Sequence, residues 1–247
     1  MKVEVCATHL QSLRIAEQAG ADRIELCSEL SLGGVTPSAG FMKKAVESCR
    51  LPIHCLIRPR SGEFVYSEEE FQIILEDIRV AKSMGVAGVV LGFLTANNEI
   101  DWKQLERALE IARPLSISFH RAFDLLVTPE KDMERLIDMG VGRILCTGKA
   151  PTAEMGLATL VRWKQIAMGR IEIQPGGGIG VDNCSLFVSQ QFPSLHLSAV
   201  SKKRLNAVDD GLDSEWHQPK AIADPSILRA VVARCHSDFL APPNAGL

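Results

Sequence analysis

Histidines, arginines, acidic residues and cysteines recur along this chain at spacings that decide what chemistry they could share. The stretch 115–124, Leu-Ser-Ile-Ser-Phe-His-Arg-Ala-Phe-Asp, is the clearest case. Ile117 and Phe119 share one parity, and Ser116, Ser118 and His120 share the other, which is the period-two pattern of a strand. The stretch then opens into Arg121 and Asp124. An imidazole followed by a guanidinium and a carboxylate suits proton transfer on an anionic substrate. A second stretch, 23–28, carries Glu25 and Cys27 on one parity. Glu25 or His120 could serve as general base, with the other or Asp124 as acid. Arg58, Arg60 and Arg121 would neutralise the substrate or a developing oxyanion, giving isomerase- or lyase-type chemistry on a small anionic or phosphorylated compound.

Two further features could bind an anion. Arg58-Pro59-Arg60 sets two guanidiniums either side of a rigid proline, a geometry suited to bidentate capture of a carboxylate or phosphate. The other reading is that Arg60 salt-bridges a neighbouring loop. Gly176, Gly177 and Gly178 open a glycine run after a strand pattern, where backbone N–H groups can hold phosphate. A plain tight turn reads equally well there. His196 and Ser198 share a parity on the last strand and belong with this set. A soft-metal reading uses other residues. Cys6 and Cys27 have the same parity on neighbouring strands and His54 lies on the next, enough for a two- or three-coordinate copper(I) site. No CxxC pair or methionine-rich motif accompanies them. Cys49, Cys184 and Cys235 fall on helical patterns, where a thiol packs as a small apolar residue.

The elements that would position these residues alternate regularly. Strand patterns occupy 2–7, 23–28, 53–59, 88–94, 115–120, 143–148, 171–175 and 195–199. Helix patterns occupy 9–19, 38–49, 67–84, 101–112, 128–139, 152–168, 182–190 and 225–236. Ser38 and Asp101 stand at cap positions, Ser67 with Glu70 has capping-box spacing, and Thr128-Pro129 opens a helix with a cap residue and proline. Gly20, Gly85 and Gly140 each end a helix three residues before a strand. Eight such units with short joints predict parallel strands in right-handed crossovers, closing as a (β/α)8 TIM barrel in one domain over 1–240. A long polar loop at about 201–224 and a frayed tail at 241–247 complete the expected layout.

In a barrel, the more apolar parity of each strand should face the helices. That sends Val3, Val5, Ile24, Leu26, Cys55 and Ile57 outward. It leaves Glu4, Cys6, Arg23, Glu25, Cys27, His54, Leu56, Arg58, Ser116, Ser118, His120, Glu172, Gln174, His196 and Ser198 inside; the fourth and sixth strands sort either way. Two arrangements of this polar interior stay open. Glu4, Arg23, Glu25 and Arg58 could form an ion-pair network near the barrel floor, or Glu25, Cys27, Arg58, His120, His196 and Ser198 could gather at the C-terminal mouth, where the fold keeps its chemistry. The second is preferred, because ionisable groups from so many strands converge on one axis.

Composition is that of a soluble globular chain: 247 residues, 46% hydrophobic, 23% charged, net charge −3. Nothing in it calls for nucleic acid or an acidic membrane, and the short basic cluster Lys202-Lys203-Arg204 reads as a solvated loop. Seven irregularly spaced cysteines do not form a disulfide framework, no signal peptide opens the sequence, and no apolar run reaches a membrane span. A reducing, cytoplasmic compartment follows.

Val3–Cys6, Gly20–Cys27, Gly33–Ser38, Ile57–Arg60 with Gly62, Phe64 and Tyr66, Phe119–Asp124, and His196 with Ser198-Ala199 together resemble the CutC family from the first strand to the eighth. The resemblance implies a TIM barrel, a cytosolic location, copper homeostasis with copper(I) binding, and self-association, with a homodimer favoured. The chain departs from the family pattern mostly after Val200.

Overall fold

A computed structural model describes residues 1–201 and 220–237; the basic cluster 202–204, most of the loop at 201–224 and the tail 241–247 lie outside the described residues. Eight strands, β1 (Lys2–Ala7), β2 (Arg23–Leu26), β3 (Ile53–Leu56), β4 (Gly88–Leu91), β5 (Ser116–Phe119), β6 (Arg143–Cys146), β7 (Glu172–Pro175) and β8 (Ser194–Leu197), form one parallel sheet. Its order is β7-β6-β5-β4-β3-β2-β1-β8, and a parallel bridge between Gly176 and His196 brings the two ends together. This is the eight-stranded parallel barrel that the alternating pattern predicts.

The intervening helices are α1 (Leu10–Ala19), α2 (Ala39–Ser48), α3 (Glu68–Ser83), α4 (Trp102–Ala112), α5 (Pro129–Asp138), α6 (Leu157–Ala167), α7 (Cys184–Ser189) and α8 (Pro225–Ser237). Their starts follow the expected capping chemistry. Ser38 accepts from the Phe41 amide, Asp101 accepts from Gln104, and Ser67 with Glu70 closes a reciprocal capping box. Thr128 differs: it makes no cap bond, and its hydroxyl instead meets Asp132 at 3.2 Å, leaving Pro129 alone to open α5. The pattern at 152–168 also overshoots, because α6 begins only at Leu157. At Gly156 an added Cβ would lie 1.8 Å from the Thr147 carbonyl oxygen, so this segment presses on the β6 exit as a turn.

The sorting of strand faces holds. Val3, Val5, Ile24, Leu26, Cys55 and Ile57 are buried in one apolar layer with helix residues such as Leu13, Phe71, Leu105 and Trp163. The two undecided strands follow the same rule, with Val89, Leu91, Ile144 and Cys146 in that layer. Inside the barrel a much smaller apolar plug consists of Cys6, Cys27, Leu56 and Val90. Polar side chains fill the rest of the interior, which is where the site must be sought.

Candidate metal and ligand site at the barrel mouth

The lower half of the barrel is an ion network centred on Glu4, which is 1% exposed. Its carboxylate takes Arg23 Nε, lies 3.7 Å from Arg143 and accepts from His196 Nδ1 at 2.8 Å. Burial alone would raise its pKa, but the His196 hydrogen bond and the Arg23 and Arg143 charges hold it well below the usual carboxylate range. Glu172 completes the network, 3.1 Å from Arg143 and 3.6 Å from Arg23. Gln174, with its amide oriented to suit its neighbours, donates to Glu4 and accepts from Ser194 and Arg23. His54 belongs here too, with Nδ1 3.3 Å from Arg143. Burial, then Arg143 and Arg23, lower its pKa to about 4 against the pull of Glu4, so its ring is neutral. Gly88 makes room for that ring: an added Cβ would lie 2.8 Å from His54 Cε1. The floor reading of the sequence therefore fits Glu4 and Arg23, while Glu25 and Arg58 lie higher.

Above the plug, a cavity of about 680 Å3 opens at the C-terminal ends of the strands. Glu25, Arg58 and His120 all line it, and so do Cys6, His196 and Ser198. Arg121 and the run Gly176, Gly177 and Gly178 form part of its wall. Glu25 is 5% exposed, and its Oε2 has no hydrogen-bond partner among the described residues. Burial raises its pKa, with the Glu4 charge adding to the effect, while His196, Arg143 and Cys6 oppose it. His120 presents a fixed tautomer. Its Nδ1 accepts from the Ala122 amide at 3.2 Å, so the proton of the neutral ring sits on Nε2, which is buried with no partner among the described residues. Burial and then Arg58 depress its pKa to about 3. The ring stacks on Phe64 at 4.6 Å, and Gly92 leaves the space it occupies. Phe64 belongs to the motif that resembles the family, but nothing in the sequence assigned it a role beside His120.

Several expected site residues go elsewhere. Arg58 reaches the cavity, where its two terminal nitrogens donate to the carbonyls of Leu32, Gly34 and Gly62 and its guanidinium lies over Phe64, while its buried Nε has no partner among the described residues. Arg60 does not line the cavity; it binds Glu70 and Glu63 and the Val65 carbonyl. The paired-arginine clamp is therefore a brace for the β3 exit, as the neighbouring-loop reading anticipated. Asp124 is buried off the cavity, accepting from the Thr147 and Lys149 amides and the Thr147 hydroxyl, with Arg121 Nε at 3.3 Å. It holds the short 3-10 helix Arg121–Leu125 against the β6 exit. Thr147, its main partner, carried no signal in the sequence.

Of the three residues read as a copper set, two meet. Cys6 Sγ lies 3.1 Å from Cys27 Sγ, both thiols free and buried. The neighbouring Cys27 thiol, then burial, raise the Cys6 pKa well above its ordinary value. His54 stands apart, one layer lower against Arg143. The group that does gather three potential ligands is Cys6, Glu25 and His196, whose donor atoms lie within 4.8 Å of one another. Among the described residues no helix is long and apolar enough to cross a membrane.

Comparisons with known proteins agree with this architecture. A CutC family model matches residues 1–201. A CutC family protein of Pasteurella multocida is 42% identical over 238 residues, covering 94% of this chain and 97% of its own. One from Glaesserella parasuis is 43% identical over 205 residues, covering 83% and 84%. Among solved structures, a Streptococcus agalactiae CutC, described as a candidate copper homeostasis protein, superposes with a TM-score of 0.76 at 32% identity over 80% of this chain and 98% of that one. Phosphoribosyl anthranilate isomerase from Thermus thermophilus shares the fold alone, with a TM-score of 0.56 at 16% identity over 96% and 99% of the two chains. With the family model spanning all eight strands and relatives at these identities over most of their length, the chain belongs to the CutC family.

Proposed function

We propose that this protein binds copper(I) in the cytosol through the thiols of Cys6 and Cys27, as part of copper homeostasis. The observation that carries this reading is the sulfur pair itself: two free thiols 3.1 Å apart on adjacent strands, with Cys6 lining the mouth cavity. The donor chemistry fits, because soft thiolates select copper(I) and an imidazole, His196, stands within reach of Cys6. Metal entry would displace the thiol protons, so uptake should strengthen as pH rises. The test is anaerobic titration of the reduced protein with copper(I) against a competing chelator. Tight stoichiometric binding should disappear in Cys6→Ser and in Cys27→Ser. Binding that persists in both variants would overturn the thiol site.

A second reading draws on a different observation. The cavity is far larger than a metal ion needs, and on its wall the buried Glu25 Oε2 and His120 Nε2, like Arg58 Nε, have no partner among the described residues. Native structures leave few such atoms unsatisfied, and a pocket with convergent polar groups is the usual form of a small-molecule site. Acid–base chemistry on a small anionic compound suits this pair, with Glu25 exchanging the proton and neutral His120 donating from Nε2 to an oxygen. Arg121 and the glycine run supply the positive wall.

A further inference from the structure

The geometry points to a second, divalent-metal site in the same mouth, of the zinc type, with Cys6, Glu25 and His196 as its three protein ligands and Glu4 as the residue that orients the imidazole. It rests on the second reading above only for the cavity that its open coordination position faces, because Glu25 becomes a ligand in place of the proton-exchanging group. It differs from the copper(I) thiol pair by using Glu25 and not Cys27 beside Cys6 and His196. Three features of the structure lead to it. The first is convergence: a sulfur, a carboxylate oxygen and a ring nitrogen from β1, β2 and the end of β8 fall within 4.8 Å of one another. Zinc bonds of 2.0–2.3 Å place tetrahedral donors roughly 3.5 Å apart, so side-chain rotation of about an ångström completes the set.

The second feature is the state of the imidazole. His196 Nδ1 faces Glu4 Oε1 at 2.8 Å, and the other oxygen of that carboxylate is paired with Arg23 and lies 3.7 Å from Arg143. A carboxylate paired with arginines accepts, so Nδ1 carries a proton and Nε2 is the ring nitrogen left for a metal, which would displace any proton held there to solvent. A carboxylate behind a ligating histidine is the usual outer partner in zinc sites. The third feature is Glu25, whose buried Oε2 has no partner among the described residues. A cation between these groups would satisfy that oxygen and balance the charge of a buried carboxylate. Three protein ligands with a fourth position open to a cavity is the arrangement of catalytic, not structural, zinc. There the metal would act as a Lewis acid toward an oxygen of a small molecule. Binding would release the Cys6 thiol proton, which passes to solvent.

The test uses cobalt(II) as a coloured stand-in for zinc, added to reduced, chelator-treated full-length protein. Wild type should take up one equivalent with a thiolate-to-cobalt charge-transfer band, and zinc should bleach it. Cys6→Ser should lose the band, and Glu25→Gln and His196→Gln should each weaken binding at least tenfold. Glu4→Gln should weaken it by about 10- to 100-fold, as outer-sphere changes do; if that variant fails to fold, the His196→Gln result decides. Cys27→Ser should retain the cobalt spectrum while losing copper(I), which separates this site from the thiol pair. A folded wild type without the band, or a band that survives His196→Gln and Glu25→Gln, would overturn the proposal. So would a band that vanishes in Cys27→Ser alone, whatever the copper titration shows.

Discussion

Replacing Glu4 by glutamine tests whether the barrel floor is held by the network described above. The substitution keeps the shape and removes one negative charge from a side chain that is 1% exposed. Arg23 and Arg143 then share Glu172, which lies 3.1 Å from Arg143 and 3.6 Å from Arg23, and His196 loses the carboxylate its Nδ1 faces. Removing one partner of a buried ion pair costs about 3–5 kcal/mol, because the remaining charge is stranded away from water. For a chain of this size each kcal/mol moves the melting temperature by about 2–4 °C, so Glu4→Gln should melt roughly 6–20 °C below wild type at pH 7. The sign with pH follows from the depressed Glu4 carboxyl. Its stabilisation is fully present above the unfolded value of about 4.3 and is lost as pH falls toward the folded one. The gap between the two proteins should therefore be widest above about pH 5 and narrow in more acid solution. Thermal melts followed by circular dichroism from about pH 2 to pH 8 measure both features. A variant within 2 °C of wild type at pH 7 would show that the network contributes nothing net and that the floor is held by packing alone.

Two other perturbations probe the mouth. In Gly92→Ala the new methyl would sit 2.5 Å from His120 Cε1 and 2.6 Å from Nδ1, displacing a ring already stacked on Phe64. Such overpacking should cost about 1–3 kcal/mol, and an unchanged melting temperature would mean the ring is free to move. His120 itself should remain neutral with its proton on Nε2, titrating only near 3. Because the unfolded chain takes up that proton near pH 6.5 and the folded one does not, this residue makes stability fall as pH drops between those values. Nitrogen-15 NMR of the ring should show no titration from pH 8 to 5, and a midpoint above 5 would refute the assigned burial.

Much of the fold could be read from local pattern. Period-two alternation in 115–120 and its counterparts marks strands, and helix-ending glycines at 20, 85 and 140 mark the joints; both are short-range consequences of backbone geometry. The parity rule placed Glu4, Glu25, His54, His120 and His196 on the barrel interior correctly, because apolar faces must meet the helices whatever the register. It failed at pairings. Arg58 and Arg60 look like an anion clamp from their spacing, yet loop carbonyls and Glu70 take all of their donor nitrogens but Arg58 Nε, and nothing at 58–60 announces those partners. Asp124 is likewise spoken for by Thr147 and Lys149, more than 20 residues downstream.

The sequence by itself determined which side chains turn inward, since that depends only on alternation and on where apolar surface must go. Height along the barrel axis was decided by tertiary structure alone. In register Glu4 pairs with Arg23 and His196, Cys6 with Glu25 and Glu25 with His54, but the strands tilt, so His54 sits a layer below Cys6 against Arg143. That stagger comes from the shear needed to close eight tilted strands, a property of the whole sheet that no single segment encodes. It sends His54 down to Arg143 and brings His196, 192 residues away, beside Glu4. The same closure leaves Cys6, Cys27 and Glu25 under the open mouth.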